Sequence, residues 1–349
     1  MRSRLTCVIS AAMAVFLIVC TVNYAFNTGK EEKKSGNPVM EAAQKEVVVQ
    51  DFIHDNYVIT EKNPWTDYNL HPVNYTETKS SSFSENISAR SAILVDIKSN
   101  NVLYAKNENK HMYPASTTKL MTALTVLQIM NVNDVVTIGD EITFIASDSS
   151  KAGFSRGQVV TVKELLEGLL ISSGNDAAYV LAKAAGKEIF EDNIANEGKS
   201  FTSSQCIQRF VLEMNRNVRD MELDDTHFTS PDGYDDDNQY TTAMDLSKIA
   251  IEAYSNSVIA DICGKSSAYS DTLGKTWTST NALLNKNGNF YYEYCQGLKT
   301  GSTGLAGKCL VSVGKKGDKE CVSVILNEST DEQRWNDAKK MLKYGLEYH

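Results

Sequence analysis

The chain has no surplus of basic charge. Its 35 lysines and arginines stand against 44 aspartates and glutamates, leaving a formal net charge of −9 over 349 residues. That balance argues against a nucleic-acid partner, since phosphate binding needs clustered cations. Histidine is scarce as well. The five present (His54, His71, His111, His227, His349) fall at no metal-ligand spacing, which argues against a zinc peptidase, and His227 reads most simply as structural. No metal and no other cofactor is implied. A full disulfide framework is also missing: Cys7 and Cys20 sit in an apolar N-terminal stretch, and the other five, an odd number, cannot all pair. Cys309 and Cys321 flank an expected hairpin turn around Lys316-Gly317, so a bond between them stays open beside the plainer reading of two buried thiols. No repeat is present. Two short motifs fail on context. Gly198-Lys199-Ser200 hints at a phosphate loop, but Asn193 stands where the first glycine is required. Gly153-Phe154-Ser155-Arg156-Gly157 spells a nucleophile elbow, yet polar residues precede it and a strand-like run follows, so it reads as a loop. The acidic cluster Asp232, Asp235, Asp236 and Asp237 lacks the calcium-loop ladder and is expected to be a solvated loop.

What is present divides the chain. Arg2 and Arg4 precede an uncharged, mostly apolar run from Leu5 to Val22, about eighteen residues, just enough to span a bilayer. Residues 1–25 are therefore expected to be a signal peptide or a retained membrane anchor, with a lipoprotein box at Leu17-Ile18-Val19-Cys20 a poorer fit. Each reading places the rest outside the cytoplasm, either membrane-associated or released to the cell wall. Residues 26–85 turn polar and charged (Lys30-Glu31-Glu32-Lys33-Lys34, Lys79-Ser80-Ser81-Ser82) and read as a linker, disordered in large part, whose aromatics leave room for a short docked segment. Residues 86–349 are the expected catalytic domain. Strand-like runs lie at both of its ends (Ala92 to Ile97 and Val102 to Ala105; Gly297 to Gly301, Cys309 to Val313 and Cys321 to Leu326). Helical patterns occupy the middle: Val162 to Ile171, Asp176 to Ala185 stopped by Gly186, Ile207 to Val218, and Ala243 to Tyr254, with a last helix over Asp331 to Leu346. The fold class is α/β in the α+β sense: one antiparallel sheet built from both chain ends, flanked by helices, with an inserted all-helical lobe.

The chemistry concentrates on Pro114-Ala115-Ser116-Thr117-Thr118-Lys119, ahead of the apolar run Leu120 to Met130. Three residues apart on a helix, Ser116 and Lys119 project from one face. An amine among apolar walls has its pKa lowered, and once neutral it can take the serine proton and create a nucleophile without histidine. The run behind is apolar all round, as in a helix buried in a core, so the pair is rigidly placed. Ser-x-x-Lys alone is a weak signal, but Ser173-Gly174-Asn175 and Lys299-Thr300-Gly301 follow in the order known for penicillin-interacting serine enzymes.

With Gly168-Leu169-Leu170-Ile171 ahead of Ser172-Ser173-Gly174-Asn175-Asp176-Ala177-Ala178, with Thr226-His227-Phe228, Thr241-Thr242-Ala243-Met244-Asp245-Leu246 and Gly297-Leu298-Lys299-Thr300-Gly301, the chain resembles the serine D-alanyl-D-alanine carboxypeptidases. These are low-molecular-weight penicillin-binding proteins of the β-lactamase/transpeptidase-like superfamily, and the resemblance runs from about Ala89 to the C-terminus. It implies that Ser116 attacks the carbonyl of the penultimate D-alanine, with Lys119 as base. It implies an oxyanion hole from the backbone N–H groups of Ser116 and Ser302. Ser173, backed by Lys299, would pass a proton to the leaving D-alanine. Asn175 would bind a substrate amide, Thr300 and Gly301 belong to the substrate-binding strand, and Arg334 would fix the terminal carboxylate. The implied partners are the acyl-D-Ala-D-Ala stem peptide of peptidoglycan, β-lactams as inhibitors, and a membrane through the N-terminal segment.

Departures from the pattern are expected too. The chain ends with the catalytic domain, without the C-terminal β-rich domain and anchor of many relatives, and an N-terminal anchor would supply that function. Residues 187–205 read as an insertion. Ser302-Thr303 follows Lys-Thr-Gly where many relatives carry a bulkier residue first. Three alternatives differ in outcome: a DD-endopeptidase with the same residues, a class A-like β-lactamase using Glu213 of Glu213-Met214-Asn215-Arg216-Asn217, and a catalytically inactive cell-wall-binding domain.

Overall fold

The computed structural model describes residues 70–76, 83–192, 196 and 198–347. The expected membrane segment at 1–25 and nearly all of the expected linker lie outside the described residues. Among the described residues, no helix is long and apolar enough to cross a membrane.

A five-stranded antiparallel sheet forms the frame, in the order β2-β1-β9-β8-β7. Strands β1 (Ser91–Asp96) and β2 (Asn101–Lys106) come from the start of the domain; β7 (Cys295–Thr303), β8 (Gly307–Lys316) and β9 (Lys319–Glu328) come from its end. The chain ends thus meet at the β1–β9 pair, where Ile93 lies opposite Val324. Side chains alternate across the sheet as the pleat demands. Ile93, Val95, Val311, Val313, Val322 and Val324 join a large core shared with the helices, whereas Ala92, Leu94, Leu310 and Ile325 join a smaller core with Trp335, Met341 and Leu342. Those last three belong to the closing helix Asp331–Glu347.

Between β2 and β7 lie the helices. A turn of 3-10 helix, Ala115–Thr118, leads into α1 (Lys119–Ile129). Ten of the eleven α1 residues are buried, so its all-round apolar sequence reports a central helix. Around it pack α2 (Val162–Leu170), α3 (Asn175–Glu191), α4 (Ser203–Asp220), α5 (Ala243–Ser255) and the short α6 (Ser257–Cys263), followed after β7–β9 by α7 (Asp331–Glu347). Thr161, Thr202, Thr242 and Asn256 cap the starts of α2, α4, α5 and α6 through their side chains. Two small hairpins complete the set: β3 (Val135–Thr137) with β4 (Val159–Thr161), and β5 (Ser267–Ser270) with β6 (Lys275–Thr278).

The helix end expected at Gly186 changes, and three further readings gain structural detail. Helix α3 does not stop at Gly186 but runs to Glu191. A Cβ on Gly186 would lie 1.8 Å from the Cys206 carbonyl oxygen, so this glycine lets α3 and α4 touch rather than ending a helix. Residues 187–205, expected as an insertion, include the last turn of α3 and the start of α4. Cys309 and Cys321 do not pair: both thiols are free, Cys321 opposes Gly314, Cys309 opposes Gly301, and the two residues belong to cores on opposite faces of the sheet. Residues 70–76, within the expected linker, dock on the domain: Leu70 is buried, the Tyr75 hydroxyl is 2.8 Å from Ser247 Oγ, and the Thr76 N–H donates to the Asn100 carbonyl.

Candidate active site

The first turn of α1, the loop before α3 and the edge strand β7 converge on one small cavity. It encloses about 130 Å³ and is lined by Ser116, Ser149, Asn175, Asp232, Tyr234 and Ser302, among others. The cleft runs between the sheet's open edge and the helical lobe.

Ser116 sits in the 3-10 turn, one residue after Ala115, whose φ is +49°. A left-handed residue with a Cβ costs about 1–2 kcal/mol, and such strain persists only where the surroundings impose it. Here β7 is pressed against the turn, since a Cβ on Gly301 would lie 3.0 Å from both Ala115 Cβ and the Pro114 carbonyl. On the other side, Gly233 (φ +82°) brings its backbone so close that a Cβ would lie 1.9 Å from the Ala115 carbonyl oxygen.

Lys119 is fully buried. Its Nζ donates to Ser116 Oγ at 2.9 Å, Asn175 Oδ1 at 2.8 Å and the Asp232 carbonyl at 2.7 Å. Burial outweighs the nearby charges of Asp232 and Asp176 and lowers its pKa from 10.5 to about 8. Of the three partners only the serine hydroxyl can donate, because an amide oxygen and a carbonyl only accept. A neutral amine therefore spends its two N–H groups on Asn175 and Asp232 and turns its lone pair to Ser116. That is the arrangement a general base requires.

Asn175 opens α3 and also donates through Nδ2 to Asp232 Oδ2 at 2.6 Å. Ahead of it, Ser173 holds φ +60° and is nearly buried. Gly174 leaves no room for a side chain: a Cβ would lie 2.6 Å from Asp176 Oδ1 and 2.7 Å from Ala152 Cβ. The Asp176 carboxylate accepts backbone N–H bonds from Ala152, Gly153 and Phe154 at 2.7, 2.7 and 3.0 Å, which ties the loop Ser149–Phe154 to the start of α3. The Gly153–Gly157 motif is thus a loop anchored on the start of α3, with Ser155 exposed.

On the strand side, Lys299 is fully buried and donates to the Thr300 carbonyl at 3.1 Å. Burial, with repulsion from Lys119 and Arg334, drives its pKa well below the usual lysine value. Thr300 Oγ1 is 2.6 Å from Thr280 Oγ1. Ser302 faces solvent and accepts from Lys308 Nζ at 3.0 Å. Arg334, at the start of α7, is buried beside β7, donating to the Gly301 and Cys309 carbonyls at 3.1 Å each, pairing with Asp331 and lying over the Trp335 ring. Its Nε is buried without a partner, and burial lowers its pKa. The cavity itself brings together Ser116, Asn175 and Ser302; Lys119, Lys299 and Arg334 stand buried around it.

Several cleft residues were invisible to motif reading. The Asp232–Asp237 segment is not simply a solvated loop. Asp232 is buried, Asp235 accepts from Thr303 Oγ1 at 2.5 Å and from the Leu305 N–H at 3.0 Å, and Tyr234 donates to Asp148 at 3.1 Å. The segment therefore ties β7 to the loop on the lobe side. Glu213, the alternative deacylation base, is held within α4 by Arg209 and Arg216 at 3.0 Å each and does not line the cavity.

The sequence profile of Peptidase S11, D-alanyl-D-alanine carboxypeptidase, matches residues 76–192 and 202–330. D-alanyl-D-alanine carboxypeptidase DacF of Bacillus subtilis is 30% identical over 266 residues, covering 74% of this chain and 62% of that protein. D-alanyl-D-alanine carboxypeptidase of Streptomyces sp. strain K15 is 32% identical over 256 residues, covering 70% of this chain and 82% of that protein. The crystal structure of the Streptomyces K15 DD-transpeptidase superposes with a TM-score of 0.66 at 31% identity, over 75% of this chain and 98% of that one. Penicillin-binding protein D2 of Listeria monocytogenes, in its ampicillin-bound form, superposes with a TM-score of 0.60 at 25% identity, over 75% of this chain and 98% of that one.

Proposed function

Because the chain belongs to the D-alanyl-D-alanine carboxypeptidase family of serine peptidases, we propose that it removes the terminal D-alanine from peptidoglycan stem peptides through an acyl-enzyme on Ser116. One observation carries this reading: Lys119 is buried, its pKa is lowered to about 8, and its lone pair has Ser116 as the sole donor partner. Ser116 Oγ attacks the penultimate D-alanine carbonyl as Lys119 takes its proton. The C–N bond then breaks, and D-alanine leaves with a proton delivered through Ser173, whose neighbour in the mechanism is Lys299. Water completes the cycle by hydrolysing the ester. The backbone N–H groups of Ser116 and Ser302 receive the oxyanion. The position of β7 at the sheet edge supports that role, because one row of an edge strand's backbone groups has no neighbouring strand. The other N–H of Asn175 Nδ2 is available to a substrate amide. Thr300 and Gly301 receive the peptide's end, and the positive charge of Arg334 beside β7 favours its terminal carboxylate.

β-Lactams present an acyl group to the same serine and act as inhibitors. The domain works outside the cytoplasm, held to the membrane or released by the fate of residues 1–25, with residues 26–85 as the linker between. An N-acylated peptide ending in D-Ala-D-Ala, incubated with the protein, is expected to release free D-alanine, and Ser116→Ala is expected to release none. Equal release by the Ser116→Ala variant would refute the assignment.

A further inference from the structure

The base works only if Asn175 shows Lys119 its oxygen and not its amino group. The two ends of a carboxamide have the same shape, so something chemical must choose between them. The chooser stands on the other side of Asn175. The Asp232 carboxylate, 1% exposed, can only accept, and its Oδ2 lies 2.6 Å from Asn175 Nδ2. Its other oxygen is already committed: Oδ1 accepts from Ser230 Oγ at 2.8 Å and from the Tyr234 N–H at 3.1 Å. We infer that Asp232 is a positioning residue for acylation, and that its side chain polarises the chain of contacts Asp232–Asn175–Lys119–Ser116. Its acceptor side chain pins the Asn175 amino group, the pinned amide turns Oδ1 to Lys119, and the amine is left with its lone pair on the serine. Its backbone carbonyl supplies the second acceptor to the same amine. One residue thus sets both N–H directions of the base, its side chain acting only through Asn175.

The direction of these bonds gives an unusual test. Asp232→Asn keeps the volume but replaces Oδ2 by an amino group, because two donors hold the oxygen at the Oδ1 position. Two amino groups then face each other, and Asn175 relieves the clash by turning over. Its Nδ2 then meets Lys119 and draws the lone pair away from Ser116. Asp232→Ala removes the acceptor but installs no donor, so Asn175 keeps its oxygen on Lys119. The smaller, cavity-forming change is therefore expected to be the milder one. The double variant Asn175→Asp/Asp232→Asn restores an acceptor facing Lys119 and a donor–acceptor match between 175 and 232.

The inference rests on the acyl-enzyme reading above. Acylation of the full-length protein by benzylpenicillin, measured as the rate constant at saturation, separates the two. Asp232→Asn is expected to lose roughly 100-fold or more, the scale of general-base catalysis, and Asp232→Ala about tenfold or less. The double variant is expected to recover at least about tenfold over Asp232→Asn, compared at about pH 9 because a carboxylate at 175 holds the Lys119 proton more firmly. Near wild-type acylation by Asp232→Asn, or greater loss in Asp232→Ala, would overturn the inference and leave the acyl-enzyme reading standing. Should Asp232→Asn fail to melt cooperatively, the double variant is compared with Asn175→Asp alone, since both lack the amide donor at 175: acylation at least about tenfold faster in the double variant supports the inference, and equal rates overturn it. Absence of acylation in the wild type would remove both.

Discussion

A lysine sealed from solvent keeps its charge only where its partners repay the lost hydration. Around Lys119 the direct partners are a hydroxyl, an amide oxygen and a carbonyl, all neutral. The carboxylates of Asp232 and Asp176 restore part of the loss, leaving the pKa at about 8 in place of 10.5. At pH 7 that is roughly one neutral amine in ten, against about one in several thousand for an ordinary lysine. Acylation should therefore speed up about tenfold per pH unit below the pKa and level off above about 8. Stopped-flow acylation by a chromogenic β-lactam across pH 6 to 10 checks this; a rate that still climbs steeply past pH 10 would mean an unperturbed amine. Ser116, Lys119, Asn175 and Lys299 were legible because their chemistry is written at fixed spacings of one to three residues. Asp232 was not. Its carboxylate matters through a contact 57 positions away in the chain, with Asn175, and nothing local distinguishes it from its neighbours Asp235, Asp236 and Asp237. Arg334 stands out in the sequence only by its place in the motif pattern, and its burial against the Gly301 and Cys309 carbonyls could not be read from a polar, charged helix start.

Long elements followed their periodicity, and short ones did not. The central helix α1, the strands β7–β9 and the closing helix α7 all lie within a few residues of where the pattern placed them. The hairpins β3–β4 and β5–β6 have strands of three and four residues, too short for alternation to stand out. Gly186 misled for a related reason: a cap and a close helix contact ask for the same residue. The two uses of glycine give opposite outcomes on substitution. Gly186→Ala drives a Cβ to 1.8 Å from the Cys206 carbonyl, and parting α3 from α4 is expected to cost about 2–4 kcal/mol of stability while leaving the pH midpoint of acylation in place. Gly301→Ala meets Ala115 Cβ and the Pro114 carbonyl at 3.0 Å, a contact the neighbours can relax. Its expected signature is a loss of about 1 kcal/mol in stability but at least tenfold in acylation, since the nucleophile turn moves off β7. Thermal melts and acylation rates on both variants check the pair; matching losses of activity and stability in the two would contradict it.

At the scale of the molecule, the chain ends build the sheet, the middle builds the lobe, and the cleft falls where both meet. Two cores, one on each face of the sheet, hold β7 rigid at its free edge, and the segment Asp232–Asp235 ties that edge to the lobe. The carboxylates that line the described cleft are all engaged, Asp148 by the Tyr234 hydroxyl, Asp235 by Thr303 and the Leu305 N–H, and Asp232 by Asn175, while Glu213 is held off the cavity by Arg209 and Arg216, so none is placed as the water-activating glutamate of a fast β-lactamase is. An acyl group derived from a β-lactam should therefore stay on the enzyme. Replacing Glu213 by Gln should leave its lifetime unchanged within about twofold, on the scale of ordinary substitutions remote from a site. The measurement that bears most directly on Ser116 as nucleophile is intact mass after mixing the protein with benzylpenicillin, followed over hours, with peptide mapping of the adduct. The expected result is a single persistent adduct on the peptide carrying Ser116, absent in Ser116→Ala. Rapid loss of penicillin with no persistent adduct, or an adduct on another serine, would contradict it.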